Sequence, residues 1–290
     1  MKKRVFAITL SLILLAIFIL NDFMGQRITI AGSWNNLVIF TFDSLLPPDW
    51  SVAQSEECGF FCSDAWLGMW ETLKIAFVAT VFGFIFALSI SVFAASNLSP
   101  LWVSLLARAV LAAMRTIPSI IWATIFLVAI GLGPVAGIMA MTFYTIGYLG
   151  KLQYEAIEGM ETAPLEAAKA MGMRRHEAAI YVAVPEVANN LLSQLIFMFE
   201  YNVRHGTVLG LVGAGGIGLT ISNSLNSLQY DRVTALLIII FVVVLIIEGI
   251  SMVARSFVTE EGDVKRPSWF TIFLSPNRAA KYHHFGDESE

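Results

Sequence analysis

VTALLIIIFVVVLIIEGISMVA, residues 233–254, carries one ionisable side chain, Glu248, in a run long enough to cross a bilayer. A spanning helix needs about 20 predominantly apolar residues. It must also satisfy its backbone internally, because hydrocarbon offers no hydrogen-bond partners. Outward from this run, five others meet the test: 5–20 (VFAITLSLILLAIFIL), 73–95, 109–130, 134–150 and 187–206, the last two being the more polar. The chain as a whole agrees, with 57% hydrophobic and 14% charged residues. A soluble domain has about 45–50% and about 25%. These figures exclude disorder, and continuous apolar runs exclude a membrane barrel, whose strands alternate. With 18 Lys+Arg against 22 Asp+Glu there is no basic footprint for nucleic acid. The sequence predicts an all-α polytopic integral membrane protein with about six transmembrane helices.

Charge placement predicts the orientation. With the N-terminus inside, 14 of 18 lysines and arginines, from Lys2 to Lys281, fall on inner segments. Arg27 and Arg232 fall outside, and Lys74 and Arg204 lie within or at the ends of spans. This is a positive-inside bias, so both termini are expected in the cytoplasm. The opening Lys2-Lys3-Arg4 and apolar run fit a secretory signal, but Asn21-Asp22-Phe23-Met24 offers no small-x-small cleavage site, so an uncleaved span is expected.

Four segments follow: an N-terminal helix at 1–20, an extracytoplasmic stretch at 21–70, a transmembrane domain at 71–257 and a cytoplasmic tail at 258–290. The outer stretch is acidic, with Asp22, Asp43, Asp49, Glu56, Glu57 and Asp64 opposed only by Arg27. Within it Cys58 and Cys62 form a disulfide in an oxidising compartment or remain two free thiols. Two cysteines and four histidines leave no zinc-type ligand set, and the paired His283 and His284 read as solvated tail residues, so no metal site is expected. In the tail, Trp269, Phe270, Phe273 and Leu274 after Lys265-Arg266-Pro267 suit an interfacial segment or a loosely ordered one.

The most charged inner loop is 151–186, KLQYEAIEGMETAPLEAAKAMGMRRHEAAIYVAVPE. Pro164 suits a first helical turn, where its missing N–H is no loss. Glu166 follows near the positive helix end, and Ala167, Ala168, Ala170 and Met171 carry high helix propensity. The expected element is a short helix lying along the membrane surface, small on one face and charged on the other. By itself it is a linker helix or a docking helix. Its spacing is Glu166-Ala167-Ala168, three residues, Gly172, nine residues, Val182, one residue, Val184-Pro185. This resembles the EAA loop of ATP-binding-cassette (ABC) importer permeases, with valines in place of isoleucine and leucine.

The resemblance implies a type I importer permease in a bacterial inner membrane. Its loop would couple to a separate ATPase through Glu166, Ala167, Ala168, Gly172 and Arg174. Closure of two ATPase subunits would then rock two copies of the permease between inward-open and outward-open states. The chain has no G-x-x-x-x-G-K-[ST] run. It is therefore not expected to be an enzyme or to hold a cofactor, and ATP and Mg belong to the ATPase partner.

Three further stretches resemble the phosphonate branch of these permeases: Arg115-Thr-Ile-Pro118-Ser119-Ile-Ile-Trp122 continuing to Gly137, Gly150-Lys151-Leu-Gln-Tyr-Glu155-Ala-Ile-Glu158, and Phe199-Glu200-Tyr-Asn202-Val-Arg204-His205 continuing to Gly218. The resemblance covers about 70–255 and implies import of phosphonate, phosphite or phosphate delivered by a periplasmic binding protein. Ser119 departs from the acidic residue common in the family, and His205 from a small one. The nearest alternative keeps the machine and changes the cargo to methionine, glycine betaine or another small solute. A membrane scaffold or a membrane-embedded enzyme is the alternative of another class; the spans hold no convergent His, Cys or acid cluster for the latter.

Gly213-Ala-Gly215-Gly216-Ile-Gly218 satisfies G-x-G-x-x-G. A span precedes it where a dinucleotide fold needs a strand, so a nucleotide site is not expected. It reads as part of an outer gate or as a packing turn. Glu200 and Arg204 are intramembrane charges at i, i+4. They form an intrahelical ion pair or place Arg204 on the path of an oxyanion. Asn202 suits an interhelix hydrogen bond or a polar path contact. Arg115 suits the inner path or a snorkelling position. Pro118 is expected to kink the third span.

Overall fold

A computed structural model describes residues 2–24, 30–56 and 58–258. The proposed interfacial residues from Lys265 to Leu274, His283, His284, Arg27 and Glu57 lie outside them. Among the described residues the chain is helical, with no strand. Helix α1 (Lys2–Met24) leads to α2 (Ile30–Ile39), a π segment at 40–45 and short 3-10 turns at 50–53 and 59–62. The transmembrane body follows as α3 (Asp64–Ala94), α4 (Leu101–Thr116), α5 (Ser119–Ile130) and α6 (Pro134–Glu158). Two short helices, α7 (Thr162–Ala170) and α8 (Arg175–Ala178), lead through a π turn to α9 (Val184–Glu186). Helices α10 (Ala188–Gly210), α11 (Ile217–Asn226) and α12 (Tyr230–Val258) complete the described chain.

Three helices, Asp64–Ala94, Pro134–Glu158 and Tyr230–Ser256, are each long and apolar enough to span. Two bent pairs raise the count to five. The expected first span corresponds to α1, whose apolar stretch Ile8–Ile19 is short. Its described side chains, Phe6 and Leu12 among them, are exposed.

Local chemistry sets the boundaries. Ser63 caps α3, its hydroxyl accepting from the Trp66 amide at 3.3 Å, and Asp64 occupies the first turn beside the positive helix end. The expected third span is not one helix: α4 and α5 meet at 86°. Ile117 takes an extended conformation (φ −83°, ψ 119°), as the residue before a proline tends to, and Pro118 begins a new helix without an amide to donate. The helix of the fourth expected span, α6, continues beyond 150 into the charged loop, through Lys151, Glu155 and Glu158.

Helix α3 buries small residues, among them Ala65, Gly68, Ala76, Ala79, Gly83 and Ala87. Small side chains let backbones approach where hydrophobicity gives no net drive between helices in lipid. Helix α6 uses the same device against α4: a Cβ at Gly147 would lie 2.7 Å from the Arg115 backbone nitrogen.

The segment before α3 is tied to the helical body. Cys58 and Cys62 are disulfide-bonded, with Cα atoms 5.5 Å apart. Asp49 donates its amide to the Asp231 carbonyl at 3.1 Å, its carboxylate pairs with Arg232 at 3.5 Å, and Val52 is buried in a cluster with Ala65, Val233 and Leu236. The Ser51 hydroxyl and amide donate to the Asp49 carboxylate and, with Arg232 adding to the effect, hold it below the usual carboxylate range.

Candidate functional site: a coupling platform and a glycine-rich turn

The expected docking helix is α7. Leu165 and Ala168 face inward and pack in a buried cluster with Ala95, Leu98, Ile157, Ala178, Ala183 and Leu191. The opposite side, with Glu166, Ala167, Lys169 and Ala170, is exposed. Helix α7 ends because Gly172 adopts φ +79°, a left-handed conformation that costs a glycine little. The amide of Gly172 then donates to Lys169 O at 3.0 Å and that of Met173 to Ala168 O at 3.1 Å, which satisfies terminal carbonyls. Arg174 starts the next helix, its amide donating to Glu177 Oε2 at 2.8 Å. Met171, Ile180 and Tyr181 extend the exposed surface. A platform of charges and small or apolar side chains thus rests on the ends of three long helices, α3, α6 and α10.

Two residues to which the sequence assigned no role lock that end. Glu158 accepts from the amide and hydroxyl of Ser96 at 2.6 and 2.5 Å and from the Arg108 guanidinium. Arg108 Nε also donates to Ala94 O at 2.9 Å, and its guanidinium lies 4.7 Å from the Tyr154 ring centroid, a cation–π contact. This knot fastens α3, α4 and α6 together beside the platform. Arg108 and Glu158 are 50 positions apart, so no local pattern announces them.

At the opposite end, residues 213–218 form a turn that is buried throughout. Gly213, Gly215 and Gly216 all have positive φ. The Gly216 amide donates to Glu71 Oε2 at 2.8 Å and the Ile217 amide to Thr72 Oγ1 at 2.9 Å. Gly133 N donates to Gly213 O at 3.1 Å. The turn therefore staples the beginnings of α3, α6 and α11. Glu71 and Thr72 are the partners that sequence reasoning missed.

Between the ends, Glu200 is buried and accepts from Arg204, one turn along α10, and from Arg255 Nη2 of α12 at 3.2 Å. Asn202, 1% exposed, donates to Thr80 Oγ1 of α3 at 2.8 Å and to Thr145 Oγ1 of α6 at 3.0 Å. It sits in the packing of three helices. Ser119 is buried at the start of α5, while Arg115 is exposed beside the α4–α5 break. The path residues named from sequence therefore do not converge: Glu200 and Arg204 face α12, Asn202 faces α3 and α6, and the glycines lie at the far end. Glu248 is half-buried on α12.

Residues 82–255 match the family described as "Binding-protein-dependent transport system inner membrane component". The chain is 34% identical over 212 residues to the phosphite transport system permease protein PtxC of Stutzerimonas stutzeri, covering 72% of this chain and 74% of that one. It is 36% identical over 190 residues to a phosphate-import permease protein, PhnE, of Mycolicibacterium smegmatis, covering 64% of this chain and 35% of the other. Among solved structures it resembles the MetNI methionine ABC transporter in an inward-facing conformation, with TM-score 0.60, 24% identity, and coverage of 67% of this chain and 95% of that chain.

Proposed function

This chain belongs to the family of binding-protein-dependent transport system inner membrane components, and on that premise we propose the cargo, partners and mechanical route of the permease it forms. It is an inner-membrane permease of an ABC importer. Its cargo is a tetrahedral phosphorus oxyanion: phosphonate, phosphite or phosphate. The cargo reading is supported by relatives at 34% and 36% identity whose names specify phosphite and phosphate.

Two copies enclose the passage, both termini lie in the cytoplasm, and a periplasmic binding protein delivers the oxyanion at the glycine-rich end. Two ATPase subunits, which hold ATP and Mg, dock on the Glu166–Arg174 surface. The observation that carries the coupling role is the two-sidedness of α7: its outer face is free while Leu165 and Ala168 are buried against the ends of three long helices. A push on such a helix moves α3, α6 and α10 as one, because packed interiors yield little.

The test is reconstitution in liposomes with the neighbouring ATPase and binding protein. Labelled phosphite, methylphosphonate and phosphate are expected to accumulate with ATP. Glu166→Lys is expected to abolish stimulation of the ATPase while insertion stays intact. Uptake of methionine or glycine betaine in place of all three anions overturns the cargo reading. Normal stimulation in Glu166→Lys overturns the coupling role.

A further inference from the structure

Helices α6 and α10 share a polar strip that the transport reading has not used. On α6, Tyr144, Tyr148, Lys151 and Glu155 recur at intervals of four, three and four, which places them on one helix face. On α10, Asn190, Gln194, Tyr201 and His205 do the same at four, seven and four. The strips adjoin. Gln194 Nε2 donates to Leu152 O at 3.2 Å, and the hydroxyls of Tyr144 and Tyr201 are 2.8 Å apart. The Tyr201 hydroxyl lies 2.9 Å from His205 Nε2, and the two rings stack at 4.0 Å. Tyr148 stacks on Tyr144 at 6.2 Å and on Tyr201 at 5.8 Å, and its hydroxyl has no partner among the described residues.

Long apolar side chains are exposed on other helices: α12 presents Leu237, Phe241 and Ile250, and α3 presents Phe77, Phe82 and Ile85. Hydroxyls and an imidazole two helices wide are costly against lipid, and such groups in spans face a cavity or a partner. All four rings of the upper strip are only half-buried within the protomer. Lys151 and Glu155 at its lower end neutralise each other at 3.4 Å. Above them the strip holds no carboxylate, only hydroxyls and one imidazole, which can turn donors toward an anion.

We propose that Tyr144, Tyr148, Tyr201 and His205 form an uncharged hydrogen-bonding wall of the passage that contacts the oxyanion as it crosses. The proposal rests on the phosphorus-oxyanion reading above. Neutral donors suit a contact that must release its cargo. A fixed, unpaired guanidinium would hold a dianion, whereas a ladder of shared hydroxyl protons lets it exchange one partner for the next. The arginines nearby are already engaged, Arg204 and Arg255 both on Glu200.

The test has two measurements on the reconstituted complex. The chain has no free cysteine among the described residues, so Tyr148→Cys introduces a thiol that a charged, water-soluble methanethiosulfonate reagent can report. Labelling is expected in the assembled transporter, slowed by phosphite, while Phe241→Cys on α12 stays unlabelled. Tyr201→Phe keeps the ring stack and removes the hydroxyl. It is expected to lower uptake of phosphite, methylphosphonate or phosphate about tenfold, the scale of one hydrogen bond to a charged group, with ATPase stimulation by the binding protein retained. No labelling at Tyr148→Cys in either the resting or the vanadate-trapped state overturns the wall. Normal uptake by Tyr201→Phe overturns the contact alone. A wild-type complex that moves none of the three anions overturns the cargo reading and this contact together.

Discussion

The two ends of the helical body solve opposite problems. At one end α7 exposes Glu166, Ala167, Lys169 and Ala170 and is held from beneath by apolar side chains. At the other, residues 213–218 are buried and held by hydrogen bonds from their own amides to Glu71 and Thr72. The first is a surface made to be touched. The second is a turn made to keep three helix ends in register. The contrast shows most plainly in two glycines with nearly the same φ, Gly172 at +79° and Gly216 at +73°. A Cβ added at Gly172 meets nothing within 4 Å, whereas at Gly216 it runs into the Thr72 hydroxyl that accepts from Ile217.

Gly216→Ala is therefore expected to have the largest effect. The φ +73° and ψ −171° of Gly216 are a combination essentially confined to glycine, so the substitution adds backbone strain of about 1–3 kcal/mol to an overlap of about 1–3 kcal/mol in a packed site, and it displaces a hydrogen bond. Thermal unfolding of the detergent-solubilised complex should show a loss of several degrees and reduced yield. An unchanged midpoint would mean that the turn is not the clamp that its buried hydrogen bonds indicate.

Arg108→Ala comes next. It leaves Glu158 with the Ser96 donors alone and removes the cation–π contact to Tyr154. Both partners are partly exposed, with side-chain accessibilities of 33% and 25%, so the expected cost is about 1–2 kcal/mol. The informative readout is the split between stability and coupling. If the knot stiffens the platform, ATPase stimulation by the binding protein should fall more than the unfolding midpoint does.

Gly172→Ala should cost only the conformational strain, about 1–2 kcal/mol, and leave ATPase stimulation near wild type. Gly172→Glu adds the same strain plus a charge on the exposed platform, so its loss of stimulation reports docking. Equal behaviour of the two variants would assign Gly172 to folding only.

These positions also show what was legible in the linear sequence. The apolar runs were readable because a bilayer imposes one length on every span, and Gly172 was readable because its spacing from Glu166-Ala167-Ala168 is local. The consequence of Pro118 was half readable: a bend was expected, but an 86° break into two helices depends on Ile117 turning extended and on what α6 offers for α4 to pack against. Lys151 marks the expected edge of a span, and α6 runs on to Glu158, because a helix continues beyond hydrocarbon wherever its backbone bonds continue. Glu71 and the Tyr144–Tyr201–His205 ladder were invisible for another reason. Their partners are 145 and 57 positions away, and only helix packing brings them together. The Cys58–Cys62 pair, left open between bridge and free thiols, is bridged.

The smallest effect is expected outside the helical body, where the strap at 49–53 meets the start of α12. Asp49 accepts from the Ser51 amide at 2.9 Å and hydroxyl at 2.7 Å and faces Arg232 at 3.5 Å. Its carboxyl is held below the usual range, chiefly by the Ser51 hydroxyl. A carboxyl whose folded value lies below its unfolded one contributes fully above the unfolded value, about 3.9. That contribution fades as pH falls through the lower folded value. Stability from this contact is therefore complete at neutral pH and lost only in strong acid. Since the pair is exposed to solvent and salt, the loss should be slight. Asp49→Asn removes the charge at every pH, so it should speed amide exchange at 50–53 at pH 7 without moving the unfolding midpoint or ATPase stimulation. Val52, buried beneath the strap, should keep the segment seated. If exchange were unchanged, the apolar contact alone would hold the strap, and the ion pair would be decoration on a surface anchored from below.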